Sequence, residues 1–134
     1  MLAIVESLKT LSSARRFARN EIIIREGDES PYSLYIILSG TVRVVKGYGT
    51  FEQTVVGSLT KGEFFGEMSL FLLKPRSATV LTSEETIVLE ITQNNVYELM
   101  ELNQELFFHL LKALCVRVDN LNARVRSLGF DVKS

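Results

Sequence analysis

The stretch "EIIIREGDESPYSLYIILSGTVRVVKGYGT", residues 21–50, decides the fold. It gathers β-branched and aromatic residues into short runs and cuts them at Gly27-Asp28, Pro31, Gly40 and Gly47–Gly49. That is the pattern of brief strands joined by tight turns, at which glycine accepts the backbone geometry cheaply. It predicts strands over residues 21–25, 33–39 and 41–46. On the C-terminal side the same pattern recurs over 52–59, 77–82 and 86–91; on the N-terminal side residues 3–18 predict a short helix. Strands spaced this regularly predict a closed barrel or a double-sheet roll.

Beyond Ile91 the pattern changes. Asn94 and Asn95 can cap a first helical turn, Glu98 follows three residues after Asn95, and residues 96–128 contain neither Gly nor Pro, so a long helix is expected over about 94–128. Within it Phe107, Leu111, Leu114, Val118, Leu121, Val125 and Leu128 recur in alternating steps of four and three. This is a heptad seam with Leu111, Val118 and Val125 at position a, where β-branched residues favour two parallel strands. A homodimer is the natural expectation. The alternative is an ordinary helix packed on its own domain, because Phe108, Leu110 and Cys115 widen the apolar face.

Composition bounds the rest. A chain of 134 residues, 46% hydrophobic and 23% charged, fits one globular domain that buries roughly 65% of its unfolded surface. Its net charge of −1 argues against a general polyanion binder. The lone Cys115 cannot form an internal disulfide, no apolar run reaches membrane-spanning length, and Glu6 interrupts the amino terminus early, so a cytoplasmic, membrane-free protein is expected.

The segment "FFGEMSLFLLKPRSATV", residues 64–80, carries the chemistry. Gly66 permits close backbone approach, and the short run after it can make one helical turn with free N–H groups for an anion. Pro75 stops that turn. Arg76 then offers a planar cationic fork to phosphate oxygens, and Ser77 adds a hydroxyl and a backbone donor. Glu67 accepts only, which makes sense beside an anion if the same ligand also presents a hydroxyl, such as a ribose 2′-OH. Acid, base and loop together describe a ribose monophosphate with a single negative charge.

The segments "GDESPYSLYIILSGTVRVV", "GEFFGEMSLFLLKPRSATV" and "TIVLEITQNNVYELM" resemble the cyclic nucleotide-binding domain family, over about residues 15–128. That family includes catabolite-activator-like regulators, regulatory subunits of cAMP-dependent protein kinase and cyclic nucleotide-gated channels. The resemblance implies a mainly β fold with flanking α, a double-stranded β-helix (β-roll) over about 15–92, followed by a long C-terminal helix serving dimerisation and as a lid. It implies that Gly66, Glu67, Met68 and Ser69 meet the ribose and phosphate, that Arg76 and Ser77 hold the cyclic phosphate, and that Val56 contacts the base. The ligand implied is cAMP, with cGMP the other choice; Ser77 beside the arginine does not decide the base.

Two departures stand out. The family often has a Gly-containing pair before the Pro-Arg, where this chain has Leu73-Lys74, and a positive φ at Leu73 would be strained. Catabolite-activator-like regulators continue into a helix-turn-helix domain, whereas this sequence runs only to "SLGFDVKS", so no direct DNA reading by these residues is expected. In a dimer Arg117, at g, would face Asn122, at e of the partner, with no salt bridge available. In the resembling regulators this part of the helix covers the base, so Asn122 is expected at the base edge and Arg117 at the pocket rim.

His109 lacks partners for a metal site and reads as a surface or interface residue. Cys115 reads as core or seam. The basic residues Lys112, Arg117, Arg124 and Arg126 are interrupted by Asp119 and read as an ordinary helix surface. No second carboxylate pairs with Glu67 and no nucleophile–base set appears, so a receptor without cofactor is expected rather than an enzyme.

Overall fold

A computed structural model describes residues 14–102 and 104–129. The elements are β1 (Ala14–Phe17), β2 (Ile22–Ile24), β3 (Leu34–Ser39), β4 (Thr41–Lys46), β5 (Thr54–Thr60), β6 (Phe64–Phe65), α1 (Glu67–Leu72), β7 (Thr79–Thr82), β8 (Thr86–Ile91), α2 (Gln93–Leu102) and α3 (Gln104–Ser127). The strands form two antiparallel four-stranded sheets, ordered β1-β8-β3-β6 and β2-β7-β4-β5. The roll is therefore a double sheet.

β3 explains how the layers are held. Its residues alternate between two cores: Leu34, Ile36 and Leu38 join Phe64, Leu70, Leu89, Ile91 and Leu110, while Tyr35 and Ile37 join Phe17, Ile24, Val42, Phe65, Val80 and Val88. The period of two sends successive side chains to opposite faces. Between β3 and β4 the chain reverses at Gly40, where an added Cβ would lie 2.4 Å from Thr86 Oγ1 and 2.5 Å from the Glu85 carbonyl.

Three expectations need correction. Residues 14–17 form β1, not the end of a helix: Ala14 to Phe17 pair with Leu89 to Thr86 of β8, and Arg15 and Arg16 reach Glu90 and Glu85. The ladder and these cross-strand pairs are tertiary, which is why local pattern misses them; the earlier part of the expected helix lies outside the described residues. The C-terminal helical region is two helices, α2 and α3. Its first cap is also different, because Asn95 lies inside α2 and its Oδ1 accepts from the Thr92 N–H at 2.8 Å, bonding back to the residue before the helix as in half of a capping box.

α3 divides into two faces. Leu110 is buried on the roll, with Ala113 and Leu114 packed against the same core. Leu111, Val118, Leu121 and Leu128 are exposed in the single chain at 48%, 56%, 56% and 74%, so most of the heptad seam has no partner within the described fold. Cys115 is exposed rather than core. Among the described residues no helix is long and apolar enough to cross a membrane, and no group of three or more His, Cys, Asp or Glu side chains is placed to hold a metal ion.

Candidate functional site

A cavity of about 340 Å³ opens against the sheet containing β2, β4, β5 and β7, between the α1 segment and α3. Its walls are apolar side chains of the sheet, including Ile24, Val44, Leu59 and Val80; Gly66, Glu67, Met68, Ser69, Arg76, Ser77 and Arg117 bring the polar groups. Val56 also lines it, and a bulge explains how. Val44 pairs with Gly57 and Val45 with Val55, leaving Val56 as the extra residue on β5, and a bulge re-aims the side chain it displaces.

Gly66 sits at φ 87° immediately before α1. A Cβ there would lie 2.7 Å from the Ser33 carbonyl oxygen and 2.8 Å from Arg76 Nη1, so both its backbone and its surroundings demand glycine. The first-turn N–H groups of α1 have no acceptor inside the helix and belong to residues that line the cavity. α1 ends at Leu73, a non-glycine residue at φ 54° and ψ 35°, whose N–H bonds the Ser69 carbonyl. The positive φ considered in the sequence is thus present.

Arg76 is 4% exposed and is held on several sides. Its Nη1 donates to the carbonyls of Ser33 at 2.9 Å and Gly66 at 3.3 Å, and its Nη2 to that of Pro31 at 2.6 Å. Its backbone N–H bonds the Asp28 carbonyl, and its own carbonyl accepts from Gly27. The end of segment 64–80, the phosphate-binding cassette, is thereby strapped to the loop between β2 and β3. Burial lowers the Arg76 pKa from its ordinary value, opposed by Tyr35, Glu90, Asp28 and Glu67; an arginine still stays charged. Its guanidinium lies 5.7 Å from the Tyr35 ring centroid, and the Tyr35 hydroxyl donates to Glu90 Oε2 at 3.0 Å. Desolvation first, then the Glu90 charge, pushes the Tyr35 hydroxyl up to about 12.

Glu67 has a partner that the sequence did not pair with it. Arg117 Nη1 donates to Glu67 Oε1 at 2.5 Å, Nη2 donates to the Phe64 carbonyl at 2.7 Å, and the guanidinium stacks 4.1 Å over the Phe64 ring. Two guanidiniums against one carboxylate leave the cavity one net positive charge. Ser69 is buried, and its hydroxyl donates to the Lys74 carbonyl at 2.8 Å, holding the cassette turn. Ser77 is exposed on the lining.

Of the residues expected at the site, Gly66, Glu67, Met68, Ser69, Arg76, Ser77, Val56 and Arg117 come together on this cavity. Asn122 does not line it in the single chain. At 3.6 residues per turn Asn122 points about 140° away from Arg117 around the helix axis, across the heptad seam from it. Sequence reasoning passed over Phe64, whose ring and carbonyl seat Arg117; as an aromatic in an apolar run it reads only as core.

The family model for the cyclic nucleotide-binding domain matches residues 14–103, and the chain belongs to that family. It is 26% identical over 116 residues to the cAMP-activated global transcriptional regulator CRP of Pasteurella multocida, covering 86% of this chain and 55% of that protein. It is 35% identical over 86 residues to the cAMP-dependent protein kinase regulatory subunit of Hypocrea atroviridis, covering 64% of this chain and 17% of the relative. The Thermus thermophilus catabolite activator protein shares the fold at a TM-score of 0.80 and 24% identity, covering 95% of this chain and 59% of the other. The chain thus spans little more than half the length of the CRP regulator it matches.

Proposed function

We propose that this domain is a non-enzymatic cyclic nucleotide receptor, with cAMP as its ligand, that couples binding to the position of α3. The observation that carries this reading is the meeting of Glu67, Arg76 and Arg117 on one cavity of about 340 Å³, a size within the usual range of roughly 300–1,000 Å³ for small-molecule sites. One net positive charge suits a monoanion. A carboxylate beside the arginines suits a ligand that presents a hydroxyl next to its phosphate, and the apolar sheet residues suit a base.

In this reading the first turn of α1, Arg76 and Ser77 hold the cyclic phosphate, Glu67 accepts from the ribose 2′-hydroxyl, and Val56 lies against the base. Arg117 ties α3 to Glu67, so a ligand engaging Glu67 acts on the helix; differential affinity for two helix positions sets how far they shift. α3 pairs with α3 of a second copy through the heptad seam, and position e of one helix faces position g of the other. Asn122 of the partner subunit then comes beside Arg117 and supplies a polar group for the base edge.

Calorimetric titration with cAMP, cGMP and a cyclic dinucleotide tests this. Saturable binding of cAMP in preference to the others is expected; binding of none of them removes the receptor reading and leaves a dimerisation module with a vestigial cassette. A second reading is favoured by the 55% coverage of the CRP regulator: these residues act as the ligand-binding half of a transcription regulator whose DNA-binding part lies elsewhere. Reading the gene beyond Ser134 separates the two.

A further inference from the structure

Beside the nucleotide cavity lies a second one, a groove of about 380 Å³ between α1 and α3 lined by Glu67, Met68, Phe71, Leu72, Phe107, Leu110, Leu111 and Leu114. Its one ionisable lining residue, Glu67, also lines the nucleotide cavity and is bonded there to Arg117; every other side chain on the groove is apolar. Met68, Phe71 and Leu72 nevertheless stand 48%, 47% and 55% exposed on a helix of six residues. So much half-exposed apolar surface in one place marks an interaction site.

The identity of the occupant follows from the register of α3. Phe107 and Leu114 hold position d of the heptad and Leu111 position a, so the wall that α3 gives to the groove is the upper part of the seam itself. At about 100° per residue, Phe107, Leu111, Leu114, Val118, Leu121 and Val125 fall within an arc of about 80°. A helix laid along Val118, Leu121 and Val125 therefore runs on over the groove and meets α1. A heptad stripe is complemented by another heptad stripe, and the chain that carries one is this chain.

We infer that Met68, Phe71 and Leu72 of α1 belong to the same docking surface as the α3 seam, and that its occupant is a second copy of this chain. The inference rests on the dimer in the proposed function and adds the cassette helix to the interface. α1 then carries the ribose-binding Glu67 at its start and an intersubunit contact at its end, so nucleotide affinity and dimer affinity are linked, each changing the other by the same factor.

Sedimentation of this chain over a wide concentration range tests it, comparing the parent with Phe71→Ser/Leu72→Ser and with Val118→Glu. The exposed positions of Phe71 and Leu72 make the double variant compatible with folding. It is expected to raise the dimer dissociation constant at least tenfold, and Val118→Glu to abolish the dimer. If Val118→Glu dissociates the chain while the double variant dimerises like the parent, the dimer stands and this surface is overturned. A parent that stays monomeric throughout removes both. Hydrogen exchange on the unaltered chain gives an independent reading: dimerisation should slow residues 67–73 together with 111–125, and slowing of 111–125 alone overturns the inference.

Discussion

Arg117 and Glu67, fifty residues apart, share a 2.5 Å ion pair that pins α3 to the first residue of α1. With the Phe64 carbonyl and ring completing its contacts, Arg117 is the chief polar fastening between α3 and the roll among the described residues. Both side chains are partly accessible, at 37% and 18%, so solvent screening limits what the pair contributes.

Arg117→Ala is therefore expected to lower stability by only about 1–2 kcal/mol, while amide exchange across residues 113–121 accelerates markedly. A urea titration and hydrogen exchange on the same variant check this. Unchanged exchange in that segment would mean that apolar packing alone positions the helix.

Arg76 carries two loads. Arg76→Ala leaves the carbonyls of Pro31 and Ser33 without their buried donor, costing roughly 2–4 kcal/mol of stability, and should weaken cAMP binding by well over tenfold. Arg76→Lys keeps a charge but lacks the fork that spans two carbonyls, so it should recover part of the affinity and little of the stability. A folded Arg76→Ala protein that binds cAMP like the parent would sink the proposed pose.

Leu73 occupies the left-handed region at φ 54°, which costs a residue with a Cβ about 1–2 kcal/mol. Leu73→Gly relieves that cost, against some added freedom of the unfolded chain and the loss of a half-exposed side chain. A net gain of about 1 kcal/mol is expected, read as a thermal midpoint a few degrees higher. A lower midpoint would show that the leucine's contacts outweigh its backbone penalty.

Tyr35 predicts an alkaline limit. Its pKa is pushed up to about 12 from 10.0, first by burial and then by Glu90, so the fold favours the neutral phenol. The stabilisation is whole below pH 10 and is lost as pH rises through about 12, amounting to a few kcal/mol at most. Denaturation midpoints from pH 9 to 11.5 should fall more steeply for the parent than for Tyr35→Phe. Parallel curves would assign the loss to other groups.

Much of this was legible in the sequence because it is local. The runs around Ile22–Ile24, Leu34–Ser39, Thr41–Lys46 and Thr86–Ile91 declare themselves by residue type and turn punctuation, and the cassette places Gly66, Glu67, Arg76 and Ser77 within a dozen residues. What stayed hidden is non-local. Residues 14–17 are a strand because β8 offers them a ladder, and nothing in "ARRF" shows it. Arg117 is expected at the pocket rim, but its pairing with Glu67 and its seat on Phe64 emerge only when folding brings those residues to it. Arg76 reads as free to meet phosphate, whereas three carbonyls from two loops already share its N–H groups.

The ladders of the double sheet join residues far apart: Ala14 with Leu89, Ile22 with Leu81, Leu34 with Ile91. A chain wired this way folds slowly, since each closure is entropically costly before it is rewarded. α3 has no roll to rest on until β8 is zipped between β1 and β3. The cavity draws Ile24 from one end of the sequence and Arg117 from the other, so no early fragment contains it. A nucleotide that fills it recognises only the finished article, acting as an inspector of folding that withdraws completed molecules from the unfolding equilibrium.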